Sequence, residues 1–143
     1  MSGKVLFEAE GIGLLSFGET EVEGEAIVTD TPITLLGFVD HTNGKVVEES
    51  HPLNGQSIRD KIFVFPKGVG STVGPYVLLN LREHKNTPLA ILNRESDQGT
   101  VSGCSVARIP LAYKVDISKI KSGNWVKLSL KDGKAKITVS EGK

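Results

Sequence analysis

A glycine-rich loop holds the residues whose types and spacing point most directly to chemistry. Residues 66–74 read PKGVGSTVG and lie between an apolar run and a stretch with helical spacing. Glycines let a backbone approach a ligand closely, and the start of a helix offers free N–H groups at the positive end of its dipole. The loop therefore predicts an anion-binding site, for which the candidate residues are Lys67, Gly68, Gly70 and Thr72.

Ser71 places a hydroxyl at the predicted helix start. The local field there favours the alkoxide form, which would help Ser71 to act as a base or a nucleophile. The alternative is structural: the glycines form only a tight turn, and Ser71 only caps the helix. The segment does not fit a nucleotide-binding P-loop, because no Gly-Lys-Ser/Thr ends it.

A second candidate site is the segment VEESHPLNG at residues 47–55. The proline after His51 holds that residue extended, and Asn54-Gly55 is typical of a turn, so we expect an ordered loop. His51 is a candidate acid, base or substrate-binding residue, or else a structural histidine that hydrogen-bonds a backbone carbonyl. Neither His41 nor His84 stands in a ligand-spaced pair, so we do not expect this chain to bind a metal.

Polar residues also follow the apolar run at 89–92, in the sequence NRESD at 93–97. The sites of α/β proteins tend to collect directly after buried strands. The planar guanidinium of Arg94 could clamp a carboxylate or a phosphate; alternatively, Arg94 and Glu95 are solvated or paired with each other. Cys104 fits packing better than nucleophilic catalysis, because no activating base is evident for its thiol.

The overall composition bounds the class of protein. The 143 residues predict one domain spanning 1–143, and 38% hydrophobic with 24% charged residues is typical of a globular chain. The 17 basic residues balance the 17 acidic ones, which argues against a nucleic-acid partner. The start MSGKVLFEAE does not resemble a signal peptide, so we expect a cytoplasmic protein without a membrane partner. With one cysteine, the chain cannot hold an iron–sulfur cluster alone.

The elements that must position these residues are mostly strands. Glycines punctuate short runs rich in Val and Ile, which favours an α+β, strand-rich fold. The dipeptides Asp132-Gly133 and Asn43-Gly44 have the turn chemistry of tight hairpins. One main helix is expected from Ser71 or Thr72 to about Lys85, with Pro75 in its first turn. The predicted strands are 4–10, 24–29, 34–39, 45–47, 62–65, 89–92, 106–109, 125–130 and 134–139.

Four segments, taken in order, resemble the small subunit of the aconitase-X family, in its branch that acts on phosphomevalonate in archaea. They are GEAIVTDTPITLLGFVDHTNGKVVEESHPLNGQSI, FPKGVGSTVGPYVLLNL, PLAILNRESD and VSGCSVARIPL. The most distinctive parts are the order VD, N-G, H-P-L-x-G and the loop P-K-G-x-G-S-T-V-G. The resemblance covers approximately residues 3 to 115.

The resemblance implies a swivelling β/β/α domain, like the fourth domain of aconitase, and a large partner subunit that carries a 4Fe-4S cluster on its own cysteines. The implied reaction is dehydration of (R)-5-phosphomevalonate to trans-anhydromevalonate 5-phosphate in the archaeal mevalonate route. Ser71 matches the family's base, assisted by loop amides and by an arginine of the partner. An alternative is the same type of reaction on another small hydroxy acid, such as a hydroxyproline derivative.

Two other functions would use similar features. The swivelling phosphohistidine domain of phosphotransfer enzymes also carries a glycine-rich loop before a helix, but it needs a histidine there, and residues 68–74 hold none. A nonenzymatic docking module would use the loop only to bind a partner. For the dehydratase, we expect the loops at 67–72, 51–54 and 93–95 to converge on one substrate cleft.

Overall fold

The computed structural model describes residues 3–34, 38–40, 42–48, 51–69 and 74–142. Strands dominate this part of the chain, as the distribution of glycine, valine and isoleucine predicts. In chain order the elements are β1 (Val5–Leu15), β2 (Thr20–Val28), β3 (Ile62–Phe65), α1 (Gly74–Glu83), β4 (Ala90–Asn93), α2 (Gln98–Ala107), β5 (Leu111–Tyr113), β6 (Trp125–Lys131) and β7 (Lys134–Ser140).

The strands close into a barrel in the order β1-β5-β4-β3-β2-β6-β7, and β7 pairs back onto β1. From β2 through β3 and β4 to β5, each neighbouring pair is parallel, whereas β1, β6 and β7 make antiparallel pairs. Parallel neighbours need crossover connections, and α1 and α2 provide two of these. As a result, the carboxyl ends of β2, β3, β4 and β5 lie along one edge of the barrel.

The side chains of the sheet pack into two separate cores. All four residues of β3 are buried and alternate between the cores: Ile62 and Val64 pack inside the barrel, while Phe63 and Phe65 pack against the helices. A strand buried on both faces has a continuous apolar run, and this is why 62–65 could be predicted from sequence. The closed barrel and the two helices packed on its outside form the β/β/α arrangement that was expected. The strand-rich α+β class is confirmed.

The strand predicted at 106–109 is wrong, because α2 runs through Ala107 and ends at Arg108, which caps it in the left-handed conformation with φ of 56°. The helix is rich in glycine and serine, which are poor helix formers, so its local sequence signal is weak. It is stabilised instead by its N-cap, where the side chain of Asp97 accepts a hydrogen bond from the N–H of Thr100, and by the burial of its small residues.

The predicted hairpin turn at Asp132-Gly133 is confirmed. These two residues join β6 to β7 with φ of 53° and 75°. Only glycine adopts such positive φ angles without strain, and Asp and Asn tolerate them better than most other residues. The register of the antiparallel β6–β7 pair is therefore fixed by the turn itself.

The turn at Asn43-Gly44 is also present, but its flanking segments are shorter than predicted. The N–H of Asp40 donates to the carbonyl of Lys45 at 2.9 Å. Val39 and Val46 form only an isolated antiparallel bridge, so the strand predicted at 45–47 is wrong. The strand predicted at 34–39 falls partly on residues 35–37, which lie outside the described residues.

Other boundaries differ by a few residues. β1 continues to Leu15 and β2 begins at Thr20, so both are longer than predicted. β5 was not predicted, because three residues give too short a pattern to recognise. The predicted helix is confirmed as α1, whereas its proposed cap at Ser71 or Thr72 lies outside the described residues. Neither described helix is long and apolar enough to cross a membrane.

Candidate functional site

The segments that follow the parallel strands form a surface that we call the carboxyl edge, defined as residues 29–31, 66–69, 94–97 and 114–118. Backbone hydrogen bonds join these segments. The N–H groups of Arg94 and Glu95 both donate to the carbonyl of Pro66, at 3.0 and 3.1 Å. The N–H of Lys114 donates to the carbonyl of Arg94 at 3.1 Å. The edge is therefore a connected surface rather than a set of independent loops.

Asp97 fastens the start of the glycine-rich loop to α2. One carboxylate oxygen accepts the N–H of Gly68 at 2.8 Å, and the other accepts the N–H of Thr100 at 3.0 Å. A Cβ at position 68 would lie 2.6 Å from Oγ1 of Thr100 and 2.9 Å from Oδ2 of Asp97, so only glycine fits. Sequence reasoning missed this role of Asp97, because the cap signal has meaning only once the helix after it is recognised.

This contact corrects one expectation about the loop. The N–H of Gly68 was predicted to bind the anion, but it is taken by Asp97. The next amide, that of Val69, donates to the carbonyl of Ile33 at 2.8 Å, and the N–H of Ile33 donates to the carbonyl of Lys67 at 3.2 Å. The first part of the loop, residues 66–69, is thus held in place by Asp97 and Ile33. The predicted site residues Gly70, Ser71 and Thr72 lie outside the described residues.

A cleft of about 970 Å³ opens at the carboxyl edge. His51 and Arg94 both line it, as the sequence predicts, although they lie 43 positions apart in the sequence. Lys67, which is half-buried, and the buried Gly68 do not line it. The side chains that give the cleft its polar character include Thr29, Asp30, Glu48, His51, Arg94 and Lys121.

His51 uses both of its ring nitrogens in contacts within the chain. Nδ1 accepts the N–H of Leu53 at 3.0 Å, and Nε2 lies 2.8 Å from the hydroxyl of Thr29. The ring also meets Phe38 edge-on, with 5.1 Å between centroids. The structural alternative for His51 had assumed a bond to a backbone carbonyl, and this is wrong, because the partners are a backbone N–H and a hydroxyl. Sequence reasoning also missed Thr29.

Arg94 is exposed, and within the described residues no ion pair joins it to Glu95. The pKa of the Asp116 carboxyl lies below its ordinary value, chiefly because the side chain and the backbone of Ser118 donate hydrogen bonds to it, with smaller contributions from Lys119 and Arg94. The guanidinium of Arg94 therefore contributes positive charge to the carboxyl edge and stays accessible to a ligand in the cleft.

We expect the thiol of Cys104 to resist a water-soluble disulfide reagent in the folded chain and to react rapidly in urea. Cys104 is fully buried, and burial, together with the nearby charge of Asp97, raises the pKa of its thiol far above the ordinary value. Because the thiolate is the reactive form, folding suppresses both access and ionisation. The check is the rate of thiol labelling with and without urea, and fast labelling of the folded chain would contradict the packing role.

A closed barrel with two outer helices and a cleft at its carboxyl edge is the architecture of a small swivel domain. The chain belongs to the aconitase X swivel domain family, whose model matches residues 15–138.

Named relatives and a solved structure agree with this assignment. The phosphomevalonate dehydratase small subunit of Pyrococcus horikoshii is 41% identical over 125 residues, which cover 87% of this chain and 92% of that protein. The protein of the same name from Pyrococcus abyssi is 40% identical over 120 residues, covering 84% and 92%. The crystal structure of Thermococcus kodakaraensis aconitase X in its holo form matches with a TM-score of 0.84 and 37% identity, covering 92% of this chain and 98% of that one.

Proposed function

We propose that this chain is the small subunit of a cytoplasmic hydro-lyase that dehydrates (R)-5-phosphomevalonate to trans-anhydromevalonate 5-phosphate, in the archaeal mevalonate route to isoprenoids. The observation that carries the proposal is the similarity to two phosphomevalonate dehydratase small subunits over 92% of each. The cleft at the carboxyl edge, with the glycine-rich loop fastened beside it, supports the proposal because it gives a small anionic substrate a place to bind.

In this proposal the oxygen of Ser71 accepts the proton. Dehydration breaks a C–H bond and a neighbouring C–O bond, forms a C=C bond and releases water. An unperturbed hydroxyl is far too weak an acid to supply the alkoxide, so the start of α1, the loop amides and an arginine of the partner would stabilise it. Since the amides of Gly68 and Val69 already have partners, we assign this task to the part of the loop that holds Gly70 and Thr72.

Substrate binding is proposed for Arg94 and His51, which line the cleft, and for Lys67 at the start of the glycine-rich loop. Arg94 presents a planar fork of donors at the cleft, which suits the carboxylate or the phosphate of the substrate. Lys67, half-buried at the start of the loop, would add a second positive charge. His51 lines the cleft, and its place in substrate binding is developed below.

The proposed partner is a large subunit, and the 4Fe-4S cluster is assigned to it. Among the residues that the structure describes here, no group of three His, Cys, Asp or Glu side chains is placed to hold a metal. Cys104 is fully buried in the core between sheet and helices. The described residues of this chain therefore do not fit a cluster, and the chain's own contribution is the base and part of the substrate-binding wall.

Co-expression with the large subunit tests the proposal. We expect a complex that contains iron and converts (R)-5-phosphomevalonate, and we expect the isolated chain to fold without turning the substrate over, because it offers only one wall of the site. The measurement is product formation by the purified complex and by the isolated chain. Turnover by an iron-free isolated chain would contradict the proposal.

The same experiment separates the other functions. Turnover of a hydroxyproline derivative but not of phosphomevalonate would show that the chain serves the same type of reaction on a different substrate. A colourless, stable complex without turnover would favour a docking module. Uptake of phosphate from phosphoenolpyruvate would favour a phosphotransfer carrier.

A further inference from the structure

Thr29 carries a nearly buried hydroxyl at the wall of the cleft. It directly follows β2, is 5% exposed, and its backbone N–H donates to the carbonyl of Val64 at 3.0 Å. A threonine in this position is fixed by the barrel rather than by a loop. The position of its hydroxyl oxygen is therefore defined, and the direction of its O–H bond depends on the groups that hydrogen-bond to that oxygen.

The hydrogen bonds of His51 determine which group is the donor and which the acceptor in its contact with Thr29. Because Nδ1 accepts the N–H of Leu53 at 3.0 Å, the proton of the neutral ring must sit on Nε2. Nε2 lies 2.8 Å from Oγ1 of Thr29, so the histidine donates and the threonine oxygen accepts. The imidazole thus acts on the hydroxyl as a donor, with its orientation locked by the loop.

The hydroxyl of Thr29 accepts a second bond, from the N–H of Thr31 at 3.3 Å. A hydroxyl has two acceptor sites and one proton to donate. With both acceptor sites engaged, the proton is left to donate, and among the described residues no acceptor receives it. A ligand atom that accepts a hydrogen bond would complete this site.

We propose that the hydroxyl of Thr29 donates to an anionic oxygen of the substrate in the cleft, and that His51 is a positioning residue that holds this hydroxyl in its donating orientation. The inference rests on the proposed function and deepens it. Asp30 and Glu48 line the cleft with Arg94 and Lys121, so their formal charges balance and do not select an anion. Selectivity for an anion comes instead from the oriented hydroxyl donor of Thr29 and the guanidinium of Arg94, which line the same cleft and together suit a phosphate or a carboxylate.

The first test compares two substitutions at Thr29 in the complex with the large subunit. Thr29→Val keeps the shape and removes the donor, and it is expected to raise KM about tenfold to 150-fold, as for the loss of a hydrogen bond to a charged group, with a smaller change in kcat. Thr29→Ser, which keeps the hydroxyl, is expected to restore most of the lost affinity. If Thr29→Val leaves KM at its wild-type value, the proposal is overturned.

The second test asks whether His51 acts through Thr29. His51→Asn can still accept the N–H of Leu53, as Nδ1 does, but it is too short to reach the hydroxyl. We expect this change to raise KM in the wild-type background and to add nothing in the Thr29→Val background, because residues that act as one unit are not additive. Equal, additive effects in both backgrounds would overturn the positioning role.

A third measurement keeps the inference testable if the complex does not dehydrate phosphomevalonate, which would defeat the proposed function alone. The isolated full-length chain is titrated with inorganic phosphate and, separately, with acetate, and the amide and imidazole resonances are followed by NMR. Shifts at Thr29 and His51 in the wild-type chain, with the His51 shift lost in Thr29→Val, support the site, and the anion that causes them identifies phosphate or carboxylate as its ligand. No shift with either anion overturns it.

Discussion

Replacing Ser71 by alanine in the two-subunit complex is expected to lower the turnover number by about a hundredfold to ten-thousandfold, the usual range for the loss of a general base. The substitution removes the oxygen that would accept the proton, while the rest of the loop sequence is retained. If Ser71 were only a helix cap, the change would cost about 0.5–2 kcal/mol of stability and leave turnover near that of the wild type. Stability alone cannot distinguish the two roles, because the cap would be lost in either case.

The matched control for this prediction is Thr72→Ala, one residue farther along the same loop. Thr72 is proposed to bind substrate and not to accept the proton, so its loss should be milder and should appear mainly in KM. The decisive quantity is the ratio of the two turnover numbers, measured on complexes with equal iron content. Equal, mild losses in both variants would return Ser71 to a capping role.

Replacing Gly68 by alanine is expected to destabilise the chain by about 1–3 kcal/mol, as overpacking of a filled site does. The new Cβ would lie 2.6 Å from Oγ1 of Thr100 and 2.9 Å from Oδ2 of Asp97. Neither neighbour can move cheaply: Thr100 is 1% exposed, and both oxygens of Asp97 accept backbone hydrogen bonds. In the complex, turnover should also fall by about tenfold to a hundredfold, because a displaced loop misplaces the base that follows it.

Gly99→Ala is the control for this change. A Cβ at position 99 would lie 3.5 Å from the same Asp97 oxygen, which is ordinary contact, so the substitution introduces the same methyl group without the collision. Urea unfolding and turnover are compared for the two variants. A partial rescue of Gly68→Ala by Thr100→Ala would confirm the steric cause, whereas a Gly68→Ala variant as stable and active as Gly99→Ala would refute it.

The parts of this fold that sequence reasoning anticipated are those whose cause is local. The Asp132-Gly133 turn is dictated by the two residues that form it. The run 62–65 is apolar throughout because its strand is buried on both faces. The helix α2 was missed for the opposite reason: its composition disfavours a helix, and the cap at Asp97 together with packing against the core overrides that preference.

The candidate site likewise contains residues that could be anticipated from sequence and contacts that only the tertiary structure reveals. Residue types predicted that Arg94 and His51 would lie at one site, and both side chains line the same cleft. Arg94 directly follows β4, where polar residues of such sheets tend to collect. The contact between His51 and Thr29 joins residues on separate segments, and no spacing rule connects them. Likewise, the use of the Gly68 amide by Asp97 depends on where α2 begins, which only the tertiary structure reveals.

The first and last strands of the barrel are neighbours, with Phe7 paired to Val139 and the N–H of Gly3 donating to the carbonyl of Glu141 at 3.2 Å. Contacts between residues so distant in sequence form slowly, because a long loop must close before they are made. Until β7 is synthesised, β1 and β6 each have one edge without a pairing partner, and such edges are sites of mispairing. We therefore expect ring closure, and with it association with a large subunit, to wait until β7 has been synthesised and has paired with both strands.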